Sequence, residues 1–441
     1  MRNNNRIAVL AAVCVLGLTA TGCSSGGSGG SSGGSSQAES AHEITLIMSN
    51  HPWQKAIQPH LPEFTKQTGI QVKVQTFAEQ QMRDKVQLTL QSRSSAMDVF
   101  MTLPSREGPQ FAASGYYEGV DSYFGKAPSD YKADDFTAGA MSAMKIGGKT
   151  IGVPINVEGT ALYYRKDVFN KLGLQPPKTL DELEQVSQSI KTKGSITPVA
   201  LRGASAALPF TFAPFLHSVG GTWTTGDGKT PAVQTPEAVE AIRRYSRLAK
   251  DYGPPGVINN TFTQSSALMA QGQVAMEIES TNELSSITGS EGSKVTNDLG
   301  VTTFPAGTAG SKPTVLSWAL AMSPFGKNKA DAWTFIQWAT SPATELSLTK
   351  DGIAPPRTSV LADPAYTATL DTPLKKEWYA VVKQVQEKGD PEVGPVGVKA
   401  PAMRQVVGDA VGKAILGQAT PEQAAAQMQQ GLTPLLAGNG G

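Results

Sequence analysis

Cysteine is nearly absent from this chain. Only Cys14 and Cys23 occur in 441 residues, and none follows them. A disulfide framework and a thiol nucleophile are therefore excluded from everything beyond residue 23. An excess of one charge is missing too. Removing residues 1–22 takes away Arg2 and Arg6 and no acid, so 36 of the 38 basic residues and all 37 acidic residues stay. Without a basic face, no nucleic-acid partner is expected. Beyond Leu18 no apolar run approaches the roughly 20 residues that span a bilayer as a helix. The nucleophile-elbow, zinc-protease, phosphate-loop and dinucleotide-binding motifs are all lacking. No internal repeat is present, which argues against a repetitive structural or adhesive protein. The four histidines, His42, His51, His60 and His217, show no metal-ligand spacing, and no metal or other cofactor is expected.

What is present begins at the N-terminus. Arg2 and Arg6 precede an uncharged run from Ile7 to Leu18, and small residues lead to Gly22-Cys23. A basic start, a short apolar core and a small-residue cut define an export signal. Leu18-Thr19-Ala20-Thr21-Gly22-Cys23 resembles a bacterial lipobox, with Ala20 where leucine is usual. Cys23 is thus the expected lipidation site, with the lipid anchor holding the protein to the outer face of a membrane. The Ser/Gly stretch that follows reads as a flexible tether to residue 42.

From Glu43 the chain alternates between two periods. ITLIM (44–48), IQVKVQT (70–76) and DVFM (98–101) read as strands. The intervening stretches, Trp53 to Lys66 and 81–93, carry helical spacing, with Met82, Val86 and Leu90 four apart. This βαβαβ start predicts a parallel sheet within an α/β protein, with ligands beyond the carboxyl ends of the strands. The loops to watch are then Ser49-Asn50-His51, Phe77-Ala78-Glu79 and Thr102-Leu103. Later helices are marked by caps: Thr179 with Glu182 as a capping box, Thr235 with Pro236, and Thr420 with Gln423. Residues 438–441 are expected to be a disordered tail.

IGVPINVEGTALYYRKDVFNKLGLQPPKTLDEL (151–183) closely resembles the signature of the family 1 extracellular solute-binding proteins, carbohydrate receptors of ABC importers. Further matches run in order through SVGGTW (218–223), SALMAQGQVAMEIES (266–280), SWALAMSPFGKNKADAWTFIQWATSP (317–342), GIAPPRTSVLADPAY (352–366) and GKAILGQATPEQA (412–424). FAEQQMRDKV (77–86), INVEG (155–159) and the tail look most like members that take polyols. The resemblance implies a two-lobed periplasmic-binding-protein type II fold with a multi-strand hinge. Lobe one would comprise residues 43–155 and 306–352, and lobe two 156–305 and 353–437. Crossings would fall near Pro154–Glu158, Thr303–Ala306 and Gly352–Pro355. It further implies a monomer that captures a sugar or polyol and delivers it to ABC permease subunits.

A sugar offers hydroxyls at its edge and a C–H face, so its cleft needs aromatic rings and fixed polar groups. The candidate contacts are Asn50, Trp53, Glu79, Glu158, Arg202, Trp223, Glu279, Trp318 and Arg357. Trp53 has an equal alternative in packing its helix onto the sheet. Arg357 could instead form an inter-lobe salt bridge. Glu277 and Glu279 share one side of a strand, so one of them could face solvent. Trp333, Trp338 and Trp378 fall in helical patterns and are expected in the core. The pair Tyr163-Tyr164 occurs in ferric-ion receptors of similar architecture, but here it lies inside the sugar-family signature and reads as packing. Two rival functions remain: a receptor of the same fold for ferric ion or an amino-acid-like solute, and a tethered glycosidase using paired carboxylates.

Overall fold

The structure is a computed structural model that describes residues 42–289 and 291–437. The signal, Cys23, most of the tether and the tail lie outside the described residues. The described residues fall in one compact unit.

Among the described residues twelve strands carry the framework: β1 (Glu43–Ser49), β2 (Gln71–Phe77), β3 (Val99–Thr102), β4 (Lys145–Ile146), β5 (Lys149–Thr150), β6 (Val153–Pro154), β7 (Glu158–Arg165), β8 (Thr197–Ala200), β9 (Val274–Ser280), β10 (Leu299–Thr303), β11 (Val315–Leu316) and β12 (Ala319–Met322). Lobe one holds a five-stranded sheet in the order β2-β1-β3-β12-β6. Its first three strands are parallel, as the alternating pattern predicts, and β12 runs antiparallel to β3 and β6. Lobe two holds the order β10-β7-β9-β8, with β11 added along β7. Lobe one buries a single apolar cluster around Leu46, Phe64, Phe100 and Ile336. The lobe-two sheet is covered on both faces, one around Phe212, Tyr245 and Met403 and the other around Tyr163, Tyr366 and Trp378.

The predicted caps form with one variation. The Thr179 hydroxyl accepts from the Glu182 N–H at 3.1 Å, but the Glu182 carboxylate takes the Lys178 N–H instead of closing a reciprocal box. At Thr420 and Gln423 the reciprocal box is complete.

The hinge is built where strands of one sheet continue into the other. Residues 155–157 link β6 to β7, and Ser317-Trp318 link β11 to β12. The two passages bond to each other, Ile155 N–H to the Trp318 carbonyl at 2.9 Å and Trp318 N–H to Asn156 Oδ1 at 3.0 Å. A third passage joins when Val157 N–H donates to the Ala354 carbonyl at 3.0 Å. Gly159 is required just beyond, because a Cβ there would lie 2.0 Å from the Thr314 carbonyl oxygen.

Two expected boundaries move. The second crossing lies at residues 317–318 and not at 303–306. The stretch 304–314 has no apolar run, and it wraps over lobe two first: Leu180 N–H bonds the Ala306 carbonyl at 2.9 Å, and Ala309 N–H bonds the Ser218 carbonyl at 2.8 Å. Residues 306–316 therefore belong to lobe two. The third passage is longer than 352–355. Thr358 N–H still bonds the Asp135 carbonyl of lobe one at 2.8 Å, whereas Tyr366 is buried in lobe two.

The lobes meet across the cleft. Phe210 and Val393, carried by lobe two, are buried with the lobe-one cluster. Pro401 of lobe two lines a cavity with Arg83, Val86 and Phe111 of lobe one.

Candidate functional site

In lobe one β2 and β3 flank β1, so the chain leaves β1 in both directions. A crevice opens beyond the carboxyl end of such a strand. The residue placed there is His51, two positions past β1. Its Nδ1 accepts the Trp53 N–H at 3.1 Å and so caps the helix Pro52–Ile57. An accepting Nδ1 leaves the proton of a neutral ring on Nε2. That nitrogen faces Glu158 Oε2 at 3.4 Å.

Glu158 opens β7 and is the centre of the hinge-side wall. Its Oε1 accepts from Trp318 Nε1 at 2.9 Å, and its Oε2 accepts from the Ser280 hydroxyl at 2.8 Å. Burial opposes its charge, but the hydrogen bonds from His51 and Ser280 and the Arg202 guanidinium outweigh this and hold the carboxyl below its ordinary value. Trp318 lies 5.4 Å from the His51 ring and carries the Arg83 guanidinium over its face at 5.0 Å. His51, Glu158, Ser280 and Trp318 all line one cavity that is partly open to solvent.

The far walls are cationic and acidic by turns. Glu79, in the first turn after β2, bonds Arg83 Nη2 and Arg106 Nη1, each at 2.9 Å. Burial opposes its charge, and Arg83, Arg106 and Arg202 together drive its carboxyl far below the usual range. Arg83 also contacts Glu107, which in turn accepts from Thr102 Oγ1 at 3.0 Å and the Leu103 N–H at 2.7 Å. Burial and the neighbouring Arg83 charge bring Arg106 down to about 10. Arg202, two residues beyond β8, bonds Glu279 through Nε at 2.8 Å and packs over the Phe210 ring at 4.3 Å. Behind them Ser266 lies within 2.9 Å of Glu277 and 3.0 Å of Glu283. Glu283 faces the cavity, and burial together with the Glu279 charge pushes it up to about 7. Burial, then Glu279 and Glu283, push Glu277 well above the carboxylate range. Both Glu277 and Glu279 are fully buried, so neither takes the solvent-facing role open to them in the sequence.

Of the nine residues expected at the site, Glu79, Glu158, Arg202 and Trp318 converge on this cavity, and Glu279 braces Arg202 from behind. Asn50 is half-buried and does not line it. Its N–H donates to the Phe77 carbonyl at 2.8 Å and its amide oxygen accepts from Ser49. Three expectations are corrected. Trp53 is wholly buried in lobe one, where it packs its helix on the sheet. Trp223, 1 % exposed, closes the lobe-two core, because its loop folds back and its Nε1 donates to the Glu392 carbonyl at 2.8 Å. Arg357, 0 % exposed, stays inside lobe one over the Phe136 ring at 3.8 Å, and its Nε donates to the Thr340 carbonyl at 2.7 Å. It is neither a ligand contact nor an inter-lobe bridge.

Tyr163 is buried with its hydroxyl donating to the Ser280 or Thr281 carbonyl, and Tyr164 packs on Phe169 at 5.1 Å, so the pair is structural. Trp378 and Trp333 are buried in the two lobes and Trp338 is partly so, as their helical patterns predict. The sequence reading placed His51 in a loop to watch without naming it as a contact, and it missed Arg106, Phe210, Phe262, Ser280, Glu283 and Arg404 as cavity-lining residues. His51 and Ser280 sit directly beside residues that were singled out, and Arg106 follows the Thr102-Leu103 loop. Arg404, inside the helix Ala400–Ile415, gave no local signal.

The family model described as bacterial extracellular solute-binding protein matches residues 50–345. The chain is similar to a mannitol-binding protein of Pseudomonas aeruginosa, 28% identical over 375 residues that cover 80% of this chain and 83% of the relative. It is also similar to a solved ABC transporter solute-binding protein from Agrobacterium vitis S4 with bound D-mannitol. That match has a TM-score of 0.76 and 29% identity, and covers 89% of this chain and 97% of the other. A solute-binding protein of Agrobacterium radiobacter K84 in complex with ribitol shares the fold, with a TM-score of 0.80 at 24% identity over 89% of this chain and 98% of that one.

Proposed function

The chain belongs to the bacterial extracellular solute-binding proteins, and on that premise we propose that it captures a sugar or polyol between its lobes and hands it to a membrane permease of an ABC importer. The observation that carries this reading is the convergence of Glu158, Ser280 and Trp318 with Glu79 and Arg202 on one cavity that both lobes line. Charged acceptors and donors fixed beside an indole suit a ligand with many hydroxyls. Ligand that touches both lobes binds the closed arrangement more tightly and so shifts the population toward it.

Capture needs no proton transfer. Glu158 already accepts from Trp318 and Ser280, with His51 at its second oxygen, and is held ionised, which fits an acceptor and not a general acid. The receptor acts as a monomer and uses no cofactor. Cys23 carries the lipid that anchors it to the outer face of the cytoplasmic membrane, so Cys23→Ser should abolish labelled fatty-acid incorporation. A thermal-shift screen of residues 24–441 against sugars, polyols, amino acids and ferric salts tests the ligand class. A true ligand at a hundredfold excess over its Kd stabilises by about 2.7 kcal/mol. Stabilisation by an amino acid or ferric salt alone would select the rival receptor.

A further inference from the structure

Three guanidiniums line the cavity, those of Arg106, Arg202 and Arg404. Two are matched by carboxylates, Arg106 by Glu79 at 2.9 Å and Arg202 by Glu279 at 2.8 Å. Arg404 is not. It is 4 % exposed, and among the described residues no carboxylate lies within ion-pair distance of it. Its one bond runs from Nη1 to the Val393 carbonyl at 2.9 Å, and its buried Nε has no partner. Burial and then the charges of Arg106 and Arg83 push it well below the usual arginine range. The turn before its helix leaves it this seat: a Cβ on Gly394 would stand 2.9 Å from Arg404 Nη1.

A buried cation without a counter-charge is costly, and the cost falls away when a ligand brings the anion. Hydroxyls alone offer only partial charge. A carboxylate offers a full one in a planar shape that a guanidinium can grip with two parallel bonds. Away from the guanidiniums the ionised Glu158 repels an anion and accepts hydroxyl donors. The cavity is therefore polar end to end. We propose that its preferred ligand is a sugar acid, a polyhydroxylated chain with a terminal carboxylate, and that Arg404 with Arg106 holds that carboxylate. A single unmatched guanidinium suits a single negative charge better than the near-double charge of a phosphate monoester. This inference rests on the reading of the protein as a receptor for sugars or polyols, and it names which member of that class fits.

The test is titration calorimetry with matched pairs: ribitol and ribonate, glucitol and gluconate, galactitol and galactonate, with glucitol 6-phosphate alongside. A charge-assisted pair predicts that the acid binds about tenfold or more tightly than its polyol, a margin that shrinks as salt is added. In Arg404→Gln that margin should collapse. Should this variant fail to fold, the wild-type margin and its salt dependence decide alone. Equal or tighter binding of the polyols overturns the inference and leaves the receptor reading standing. Preference for the phosphate overturns the assignment of a carboxylate. Binding of amino acids or ferric salts, with none of the panel, sinks both readings.

Discussion

Trp318 Nε1 donates to Glu158 Oε1 at 2.9 Å, and the two residues ride on different passages of the hinge. The bond couples the aromatic wall of the cavity to its acceptor, so neither can turn without the other. His51 closes the third side, 5.4 Å from the indole and 3.4 Å from the carboxylate.

Trp318→Ala should weaken sugar or polyol binding by about 1 kcal/mol or more, roughly a fivefold rise in Kd, since the ring face and the fixed carboxylate are lost together. Trp318→Phe should recover part of that loss, because the face returns without the donor. Calorimetry on both variants checks this, and equal affinity in all three proteins would contradict it.

Trp223→Ala should behave in the opposite way. The ring is buried against Phe212 at 5.9 Å and does not line the cavity. Its truncation should cost about 3–5 kcal/mol of stability. Trp223→Phe, which folds more readily, should bind ligand as the parent does. Urea unfolding and calorimetry separate the two effects.

Glu279→Gln should destabilise the protein by about 3–5 kcal/mol, because it strands a buried guanidinium. Arg202 would lose its ionic partner on the cavity wall. The double variant Arg202→Met with Glu279→Gln should restore much of that stability while ligand affinity stays low. Loss of both stability and recovery in the double variant would show that the pair does not act as a unit.

Glu283 gives a pH signature. Burial and the charge of Glu279 raise its folded value from 4.5 to about 7. The folded state therefore holds the proton more tightly than the unfolded chain. The contribution is full below 4.5 and is lost as pH rises through about 7. Between about pH 5 and about pH 8 the parent should lose more stability than Glu283→Gln, measured by urea unfolding at each pH. Parallel profiles for the two proteins would reject the assignment.

These outcomes bear on how far the amino-acid order reveals a site. The parallel βαβαβ start and its helices follow from period-two and period-3.6 patterns, and so do the strand-end positions of Glu79, Glu158 and Glu279, whereas the order β2-β1-β3 does not. Trp223 and Arg357 misled because glycine and proline beside them mark a turn but not what the turn lies against. The Trp223 Nε1 is satisfied by the carbonyl of Glu392, 169 positions away. Arg404 was silent for the complementary reason. It sits mid-helix in a pattern that reads as packing, and the approach of Arg106 and Arg83 from the other lobe gives it meaning. The early second crossing was implied by the family resemblance, whereas backbone bonds bind residues 304–314 to lobe two.

The measurement that bears most directly on the central claim is calorimetric titration of residues 24–441 with sugars, polyols and their acids, beside amino acids and ferric citrate, followed by mass spectrometry of the recovered ligand. The account predicts saturable one-to-one binding of a polyhydroxylated ligand that is recovered chemically unchanged and binds less tightly to Trp318→Ala and Glu158→Gln. Saturable binding confined to amino acids or ferric ion, or recovery of cleaved sugar that Glu158→Gln abolishes, would contradict it.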